Sequence, residues 1–546
     1  MADRLSCWMY KRLAITTSRQ VRIFVSHHLL LIQVQHCSAS IMIRHLKEIA
    51  LVAAWLPQLA LCNVCSTLAT SSSSINIVRP LSAKYNMEQT EYWSTGCGKL
   101  RPECIIYPSS AAEVSRIVSE LRGSNESFAV KSGGHNPNLY YSSISGGPLI
   151  STGKLNQVEL DNVTQTARIG PGLRWDEVAA KLDGTGFTAV GGRIGNVGVG
   201  GYMLGGGLSF MSTEYGWAAN SVVAYELVLA NASVVTVTRD AHPSLFKALQ
   251  GGGNRFGIVT AFVVQVYPQG QVWGGNYFFN STPATDAALL RAVRDFTVNY
   301  PDPKAAIILT AERAGLGTID FWTMFLYYNG PTPPPGVFDN FTAIRPLGNT
   351  CKTRTMSQLV SWNNWAVVKG SVYTIGTETI PVPPPPASGA DADTGLAALE
   401  DVHANWRAAS KTVLTVPGLI ASTAYQPIPR SMAALARSKG GDLLDLDDDA
   451  DRIVLEYNYS FLSESDRSAV DVAMQATYNG VRERTQALVA NGTLPDVYLP
   501  LFANDGYYRQ DVFGRLRPES QALARKVRDE VDPEGLFQER MAGFKI

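Results

Sequence analysis

The stretch GGRIGNVGVGGYMLGGG, residues 191–207, decides how the rest of the chain is read. A flexible linker of such glycine density is Ser-rich and polar. Here Ile194, Val197, Val199, Tyr202, Met203 and Leu204 thread between the glycines, so the segment reads as an ordered loop, packed below and open above. Backbone N–H groups of such a loop suit a phosphate chain. Two further glycine clusters flank it. KSGGHN, residues 131–136, sets a histidine directly after two residues without a Cβ, where the backbone approaches a ligand closely. GGGNRFG, residues 251–257, resembles a nicotinamide fingerprint, but its last interval is G-x-x-x-G and the strand-like IVTAFVVQVYP follows where a helix is required. No acid stands between Gly257 and Asp286 to hold a ribose hydroxyl, which argues against a Rossmann dinucleotide fold.

Around these loops helix and strand periods mix. AAEVSRIVSELRGSN puts Val114, Ile117, Val118 and Leu121 on one helical face and stops at Gly123. SFAVKSGG reads as a strand, QVELDNVTQTARIGPG as a β-hairpin, RWDEVAAKL as a short helix and FTAVGG as another strand. SVVAYELVLA and SVVTVT are strands joined across NAS, followed by a helix at HPSLFKALQ. The class is α+β, with glycines gathered at strand ends.

At 546 residues the chain is too long for one ordinary core. Its 47 basic residues balance its 47 acidic ones, so net charge steers it toward neither nucleic acid nor an anionic membrane, and a small molecule is the expected partner. Residues 1–41 are short of acid and read as an extension ahead of the natural start. From Met42, a basic MIRHLK, an apolar IALVAAWLPQLALC and a small, polar STLATSSSS form a secretory signal over 42–69. That apolar run falls short of the about 20 residues a membrane span needs, so the mature protein is expected to be secreted, free of the membrane and monomeric. Sequons at Asn125, Asn162, Asn231, Asn280, Asn340, Asn458 and Asn491 suit a glycosylated, exported protein. With Cys62 and Cys65 assigned to the leader, Cys97 and Cys104 are close enough to pair and Cys351 is left over. His135, His242 and His403 are the histidines of the body, too few for a His/Cys metal cluster, and no metal is expected.

After Pro268 the texture changes to long strands and helices joined by proline-rich loops, NGPTPPPG and IPVPPPPASGADADTG, which marks a second domain. DLDDDAD, residues 445–451, starts like a calcium loop, but Ala450 takes the glycine position and a strand follows, so a solvated acidic loop is the better reading. The C-terminus, rich in Phe and Leu, is expected to pack back on the body.

Laid in order, RPECIIYPSSAAEVSRIV, KSGGHN, GGRIGNVGVGGYMLGGGLSF with YGWAANSVVAYELVLAN, LFKALQGGGNRFGIVT, FAND and VDPEGLFQ resemble the berberine-bridge-enzyme-like oxidases of the vanillyl-alcohol oxidase superfamily. Each piece alone is weak. The ordered set, from about residue 90 to the C-terminus, is specific. The resemblance implies a PCMH-type FAD-binding domain of two subdomains over 90–270, and a substrate domain over 271–495 whose antiparallel sheet is covered by helices. Residues 496–546 would return to the FAD domain. It further implies FAD bonded to His135, with Ser132, Gly133, Gly134 and Asn136 in the phosphate loop. Gly198, Gly200, Gly201, Gly205 and Gly206 would follow the pyrophosphate and ribityl chain, and Gly257, Ile258 and Val259 the adenine side. Where some members carry a second, cysteinyl link this chain has Ile194, so single attachment is expected. AANSV at 218–222 departs from the family's usual Asp-Asn-Val and leaves contacts from Asn220 and Ser221 open.

By resemblance the reaction is a two-electron oxidation of a C–H beside oxygen or nitrogen, with O2 restoring the flavin and yielding H2O2. The proton acceptor should come from the second domain or tail: Asp505, Tyr507, Tyr508, Glu456, Tyr457 or Tyr459. We favour Asp505, with Tyr457 and Tyr459 lining the pocket because alternate strand residues share a face. The competing expectations are a flavin-fold protein that binds a ligand without turnover and an FAD dehydrogenase with another electron acceptor.

Overall fold

The computed structural model describes residues 63–71, 74–385 and 393–546. The expected extension 1–41, most of the expected leader and part of the second proline-rich loop lie outside the described residues.

The first layer is a four-stranded sheet in the order Asn76–Val78, Cys104–Tyr107, Pro148–Ser151, Ala129–Lys131. The last three are parallel, and the helix Ala111–Arg122 crosses between two of them. Ser110 Oγ caps that helix by accepting from Glu113 N, and Val114, Ile117, Val118 and Leu121 are its buried face, the stripe that the 3.6-residue period predicts.

Residues 64–69 belong to this layer, which corrects the expected leader boundary. The helix Val64–Ser71 buries Val64, Cys65 and Leu68, and Cys65 forms a disulfide with Cys104. The expected Cys97–Cys104 pair is therefore absent. Cys97 is a buried free thiol whose Sγ sits 3.5–3.8 Å from the carbonyl oxygens of Asn136, Pro137 and Asn138. Short sequence separation favoured the wrong partner because chain proximity says nothing of where Cβ vectors point. Cys351 is also free.

A second, antiparallel sheet carries the hairpin Val158–Asp161 and Thr166–Ile169, the long strand Ile258–Pro268, then Val222–Val228 and Val234–Thr238, with Phe187–Ala189 paired to Ile258–Pro268. The third sheet has eight strands, and its central order is Val272–Asn280, Ile319–Tyr328, Ala305–Ala314, Ile420–Ile428, Arg452–Phe461, Val372–Pro381. All its pairs are antiparallel.

Helices Pro283–Asn299, Thr394–Lys411 and Arg467–Ala490 cover one face of that sheet, packing Leu289, Trp406 and Met474 against Trp322, Tyr425 and Tyr457. The opposite face supplies Ile308, Phe325 and Ala424 to the core of the glycine-rich half. The fold is thus α+β, as the sequence implies.

The C-terminal segment binds the first layer: Arg540 N–H groups donate to the Leu121 and Ser124 carbonyls, and Arg255 donates to the Phe537 and Phe544 carbonyls at 2.7 and 2.8 Å. The acidic run 445–451 is less solvated than expected. Asp447 is buried and paired with Arg452 and Arg517. Among the described residues, no helix is long and apolar enough to cross a membrane.

Candidate active site

KSGGHN leaves the end of the parallel strand Ala129–Lys131. Gly134 has φ +69°, a conformation open to glycine and strained for other residues, and its carbonyl accepts from Trp93 N at 3.1 Å. The Trp93 ring stacks on the His135 imidazole with centroids 4.4 Å apart, and on Tyr373 at 4.1 Å. Burial lowers the His135 pKa to about 3, with the Arg174 charge acting the same way, so the ring is neutral. Its Nε2 is buried and, among the described residues, has no hydrogen-bond partner. An orphaned ring nitrogen at a cleft wall is costly unless something entering the cleft satisfies it.

The loop 191–207 meets KSGGHN edge to edge. Ser132 Oγ accepts from Gly200 N at 3.1 Å and donates to the Pro171 carbonyl at 2.5 Å. A Cβ on Gly198 would stand 2.3 Å from Gly133 N, and one on Gly133 would stand 2.6 Å from Gly198 Cα, so only glycine at both positions lets the backbones touch. At Gly201 a Cβ would meet open space.

Together the loops wall one cleft of about 320 Å³, within the roughly 300–1,000 Å³ of an ordinary small-molecule pocket. Ser132, Gly133, Gly134, His135, Asn136, Gly198, Gly200, Gly201, Gly205, Gly257, Ile258 and Val259 all line it. Gly206 does not: it borders a smaller cavity with Trp217 and Gln250, because its carbonyl turns to accept from Ala219 N at 3.0 Å. Of the residues in the departing AANSV segment, Asn220 donates to Asp442 at 2.9 Å and Ser221 contacts the Tyr267 hydroxyl.

Asp505, Glu456 and Arg193 line the same cleft. Asp505 closes the short turn Ala503–Asp505 and accepts from Gln426 Nε2 at 2.9 Å, while Gln426 Oε1 accepts from Arg193. Burial raises both carboxyls above the usual range, Glu456 the further because Asp505 adds a like charge; the Arg193 charge opposes the rise in both. Such a pair holds one proton where two separate carboxyls would hold none.

Tyr457 and Tyr459 are not in the cleft, which corrects their expected role. Their strand alternates with the opposite parity: Glu456 and Asn458 are half-open, whereas Tyr457 and Tyr459 are buried under the covering helices. The Tyr459 hydroxyl is 2.6 Å from Thr477 Oγ1 of the helix Arg467–Ala490. Tyr507 is also buried, its hydroxyl donating to Asp471 at 2.5 Å, and Tyr508 is exposed. Sequence reasoning passed over Arg193, Gln426, Trp93 and Asn504. Asn504 Oδ1 accepts from Gly207 N at 3.1 Å, tying the C-terminal segment to the glycine loop. The signal that could have found Arg193 was its charge inside an otherwise apolar, glycine-rich run.

With this geometry the comparisons with known proteins agree. Residues 102–238 match the model of an FAD binding domain. The chain is 40% identical over 474 residues to an uncharacterized FAD-linked oxidoreductase of Arthroderma benhamiae, covering 86% of this chain and 92% of that protein. It belongs to the FAD-linked oxidoreductases. An FAD-dependent monooxygenase of Fusarium proliferatum, FUP4, is 30% identical over 465 residues, 83% of this chain and 86% of that one. Two solved structures share the fold of this oxidoreductase. 6-Hydroxy-D-nicotine oxidase of Arthrobacter nicotinovorans superposes with TM-score 0.68 at 20% identity, covering 87% of this chain and 98% of its own. A carbohydrate oxidase of Microdochium nivale gives 0.67 at 18%, covering 87% and 98%.

The residues fit FAD on their own terms. The cleft runs from His135 past the touching glycines to Gly257 and Val259, added Cβ atoms at Gly133 and Gly198 would collide, and among the described residues His135 Nε2 has no partner. Ser132, Gly133, Gly134 and Asn136, with Gly198, Gly200, Gly201 and Gly205, would hold the cofactor's phosphates and ribityl chain, and Gly257, Ile258 and Val259 its adenine side.

Proposed function

We propose that this FAD-linked oxidoreductase is a secreted oxidase that removes two electrons from a C–H next to oxygen or nitrogen of a small molecule, with FAD attached singly through His135. The observation that carries the reading is the carboxyl pair Glu456 and Asp505 in the same cleft as the unpartnered His135 nitrogen. Bound FAD would supply a two-electron acceptor for the hydride of the substrate carbon, one that O2 reoxidises with two protons to give H2O2. Asp505 takes the proton from the substrate O–H or N–H as the new C=O or C=N bond forms. It is suited to this because burial has lifted its pKa toward neutrality, where a base is strongest while still ionised. Glu456, raised further, keeps its proton and so spares Asp505 a second negative neighbour. Arg193 and Gln426 fix the Asp505 carboxylate in place and favour its ionised form.

Ile194 takes the place from which a cysteine would make a second link, which supports attachment through His135 alone. The neutral His135 ring has a lone pair on one nitrogen for bond formation. Export is supported by the Cys65–Cys104 disulfide and by exposed sequons at Asn125, Asn162, Asn231, Asn280, Asn340 and Asn491. Asn458 drops out of that set, since it stands on the cleft side of a central strand where no oligosaccharide fits the folded chain.

The purified protein tests the reading directly. It should be yellow, retain flavin on the polypeptide after acid denaturation, and release one H2O2 per substrate oxidised. His135→Ala should release its flavin. A colourless, folded protein refutes the oxidase reading, and oxygen recovered in the organic product instead of in peroxide would favour the monooxygenase chemistry named for the Fusarium relative.

A further inference from the structure

A third carboxyl shares the sheet face that bears Glu456. In antiparallel strands, residues directly opposite each other project to the same side. Glu456 is opposite Ala424, which is opposite Thr310, while Asn458 is opposite Ser422, which is opposite Glu312. Thr310, Glu312, Ser422, Glu456 and Asn458 are each half-open, and their neighbours Leu309, Ala311, Ala421, Thr423, Tyr457 and Tyr459 are fully buried. The half-open residues thus form a row, here called a trench, on the face toward the flavin half, with Glu312 farther along it than Glu456, whose end lines the cleft. At strand spacings of about 4.8 Å and rises of about 3.4 Å per residue, two strands and two residues separate the acids by about 12 Å.

Glu312 is unusual in having no counter-charge. Among the described residues it forms no ion pair, and burial lifts its pKa to about 7. The adjacent Arg313 projects to the other face, where its guanidinium donates to the Arg407 carbonyl at 2.8 Å and to Ser410 Oγ at 3.1 Å. A carboxyl desolvated without a cation is a standing cost. Aromatic rings accompany it on the same face. Phe321 lies directly opposite Glu312 and is half-open. Further along, Phe325 stacks on Trp365 with centroids 6.0 Å apart, and the Trp362 and Trp365 indoles both donate to Asn276 Oδ1. Phe321 thus sets one aromatic side chain next to the carboxyl, and a carboxylate with an aromatic neighbour is the chemistry that recognises an organic ammonium ion.

We propose that Glu312 is a specificity-determining residue that binds a protonated or quaternary amine of the substrate, about 12 Å along the trench from the acid pair. The substrate class is then a cationic, aromatic or alicyclic amine long enough to span that distance. The proposal rests on the flavin-oxidase reading for the identity of the trench, but binding at Glu312 does not need turnover.

Calorimetric titration of the full-length holoprotein at pH 8 with phenethylamine, 2-phenylethanol and 3-phenylpropionate separates the possibilities, with the flavin absorbance recorded in the same samples. Phenethylamine should bind at least about tenfold more tightly than the alcohol, and the carboxylate weakest. Glu312→Gln should erase the preference while the thermal midpoint and flavin content persist. Ser422→Asp in the Glu312→Gln background should restore it, because Ser422 is the cross-strand neighbour of Glu312, a recovery that misfolding cannot imitate. Equal binding of amine and alcohol, no binding of the amine, or an unchanged preference in Glu312→Gln overturns the proposal. A protein without flavin that still prefers the amine through Glu312 would sink the oxidase reading and leave the cation site standing.

Discussion

Replacing Asp505 by Asn removes the proposed proton acceptor while conserving shape and the chance to bond Gln426. General-base catalysis contributes about 10²–10⁴ in rate, or about 2.7–5.5 kcal/mol of barrier. Asp505→Asn should therefore lower kcat/KM by about 10²–10⁴ and leave flavin content untouched, since Asp505 lies apart from the His135 loop in sequence and touches it through no hydrogen bond. The pH profile carries a second signature. Activity should rise as Asp505 ionises, with an acid limb well above the ordinary aspartate value because of burial, and fall as the still higher Glu456 loses its proton. Glu456→Gln should abolish the alkaline limb and keep the acid one. Both folded-state pKa values lie above their unfolded values, so the folded chain keeps protons that the unfolded chain has released. The stability this confers is complete below about pH 4 and is lost as pH rises toward the raised folded values. Glu456→Gln should accordingly stabilise the protein more at pH 8 than at pH 5, by roughly 1–3 kcal/mol. The assay is peroxide-coupled turnover from pH 5 to 9 beside thermal melts of the same samples. Turnover of Asp505→Asn within tenfold of the parent, at equal flavin content, would refute the assignment.

Gly198→Ala should cut flavin incorporation sharply, since its Cβ would meet Gly133 N at 2.3 Å; the flavin-to-protein absorbance ratio reads this out, and an unchanged ratio would show that the loops part at no cost. Cys65→Ser opens a crosslink spanning 39 residues and should cost about 4 kcal/mol, measured by denaturant unfolding. Cys97→Ala, by contrast, should shift the labelling of no disulfide in a thiol count. Peptide mapping of material expressed through a secretory route should find glycans among Asn125, Asn162, Asn231, Asn280, Asn340 and Asn491, with Asn458 unmodified.

The glycine-rich half was legible in the sequence because its chemistry is local. A phosphate loop needs glycines where backbones touch, and the order of SGGHN, GNVGVGG and GGGNRFG places nearly every cleft-lining position before any fold is known. Gly206 escaped because its role depends on a long-range bond to Ala219. The second half was legible only as strands and helices. In LEYNYSF the choice between Glu456 and the flanking tyrosines turns on which face of the sheet the helices cover, and a period of two is silent about that. Tyrosines are common in cores of this kind, and burying Tyr457 and Tyr459 leaves the acid facing the cleft. The disulfide failed for a related reason: the helix bearing Cys65 looked like part of an apolar leader until its packing on the helix Ala111–Arg122 was seen.

The acid pair has no home in either half alone. Glu456 and Gln426 come from neighbouring strands of the third sheet, Asp505 from the returning C-terminal segment, and Arg193 from the front of the phosphate loop. Buried carboxyls so close together destabilise the chain unless a cation meets them, and the arginine that does so is two residues from Gly191 and five from Gly198 in the loop that walls the cofactor cleft. Docking the halves therefore lowers the cost of the acids, and seating the loop fixes the arginine. It follows that Arg193→Met should do more than raise the pKa of the proton acceptor: the acid limb should move up, because the charge that favours ionised Asp505 is gone, and flavin incorporation should fall with it. A variant that shifts the limb while loading flavin normally would show instead that Arg193 serves the acids alone.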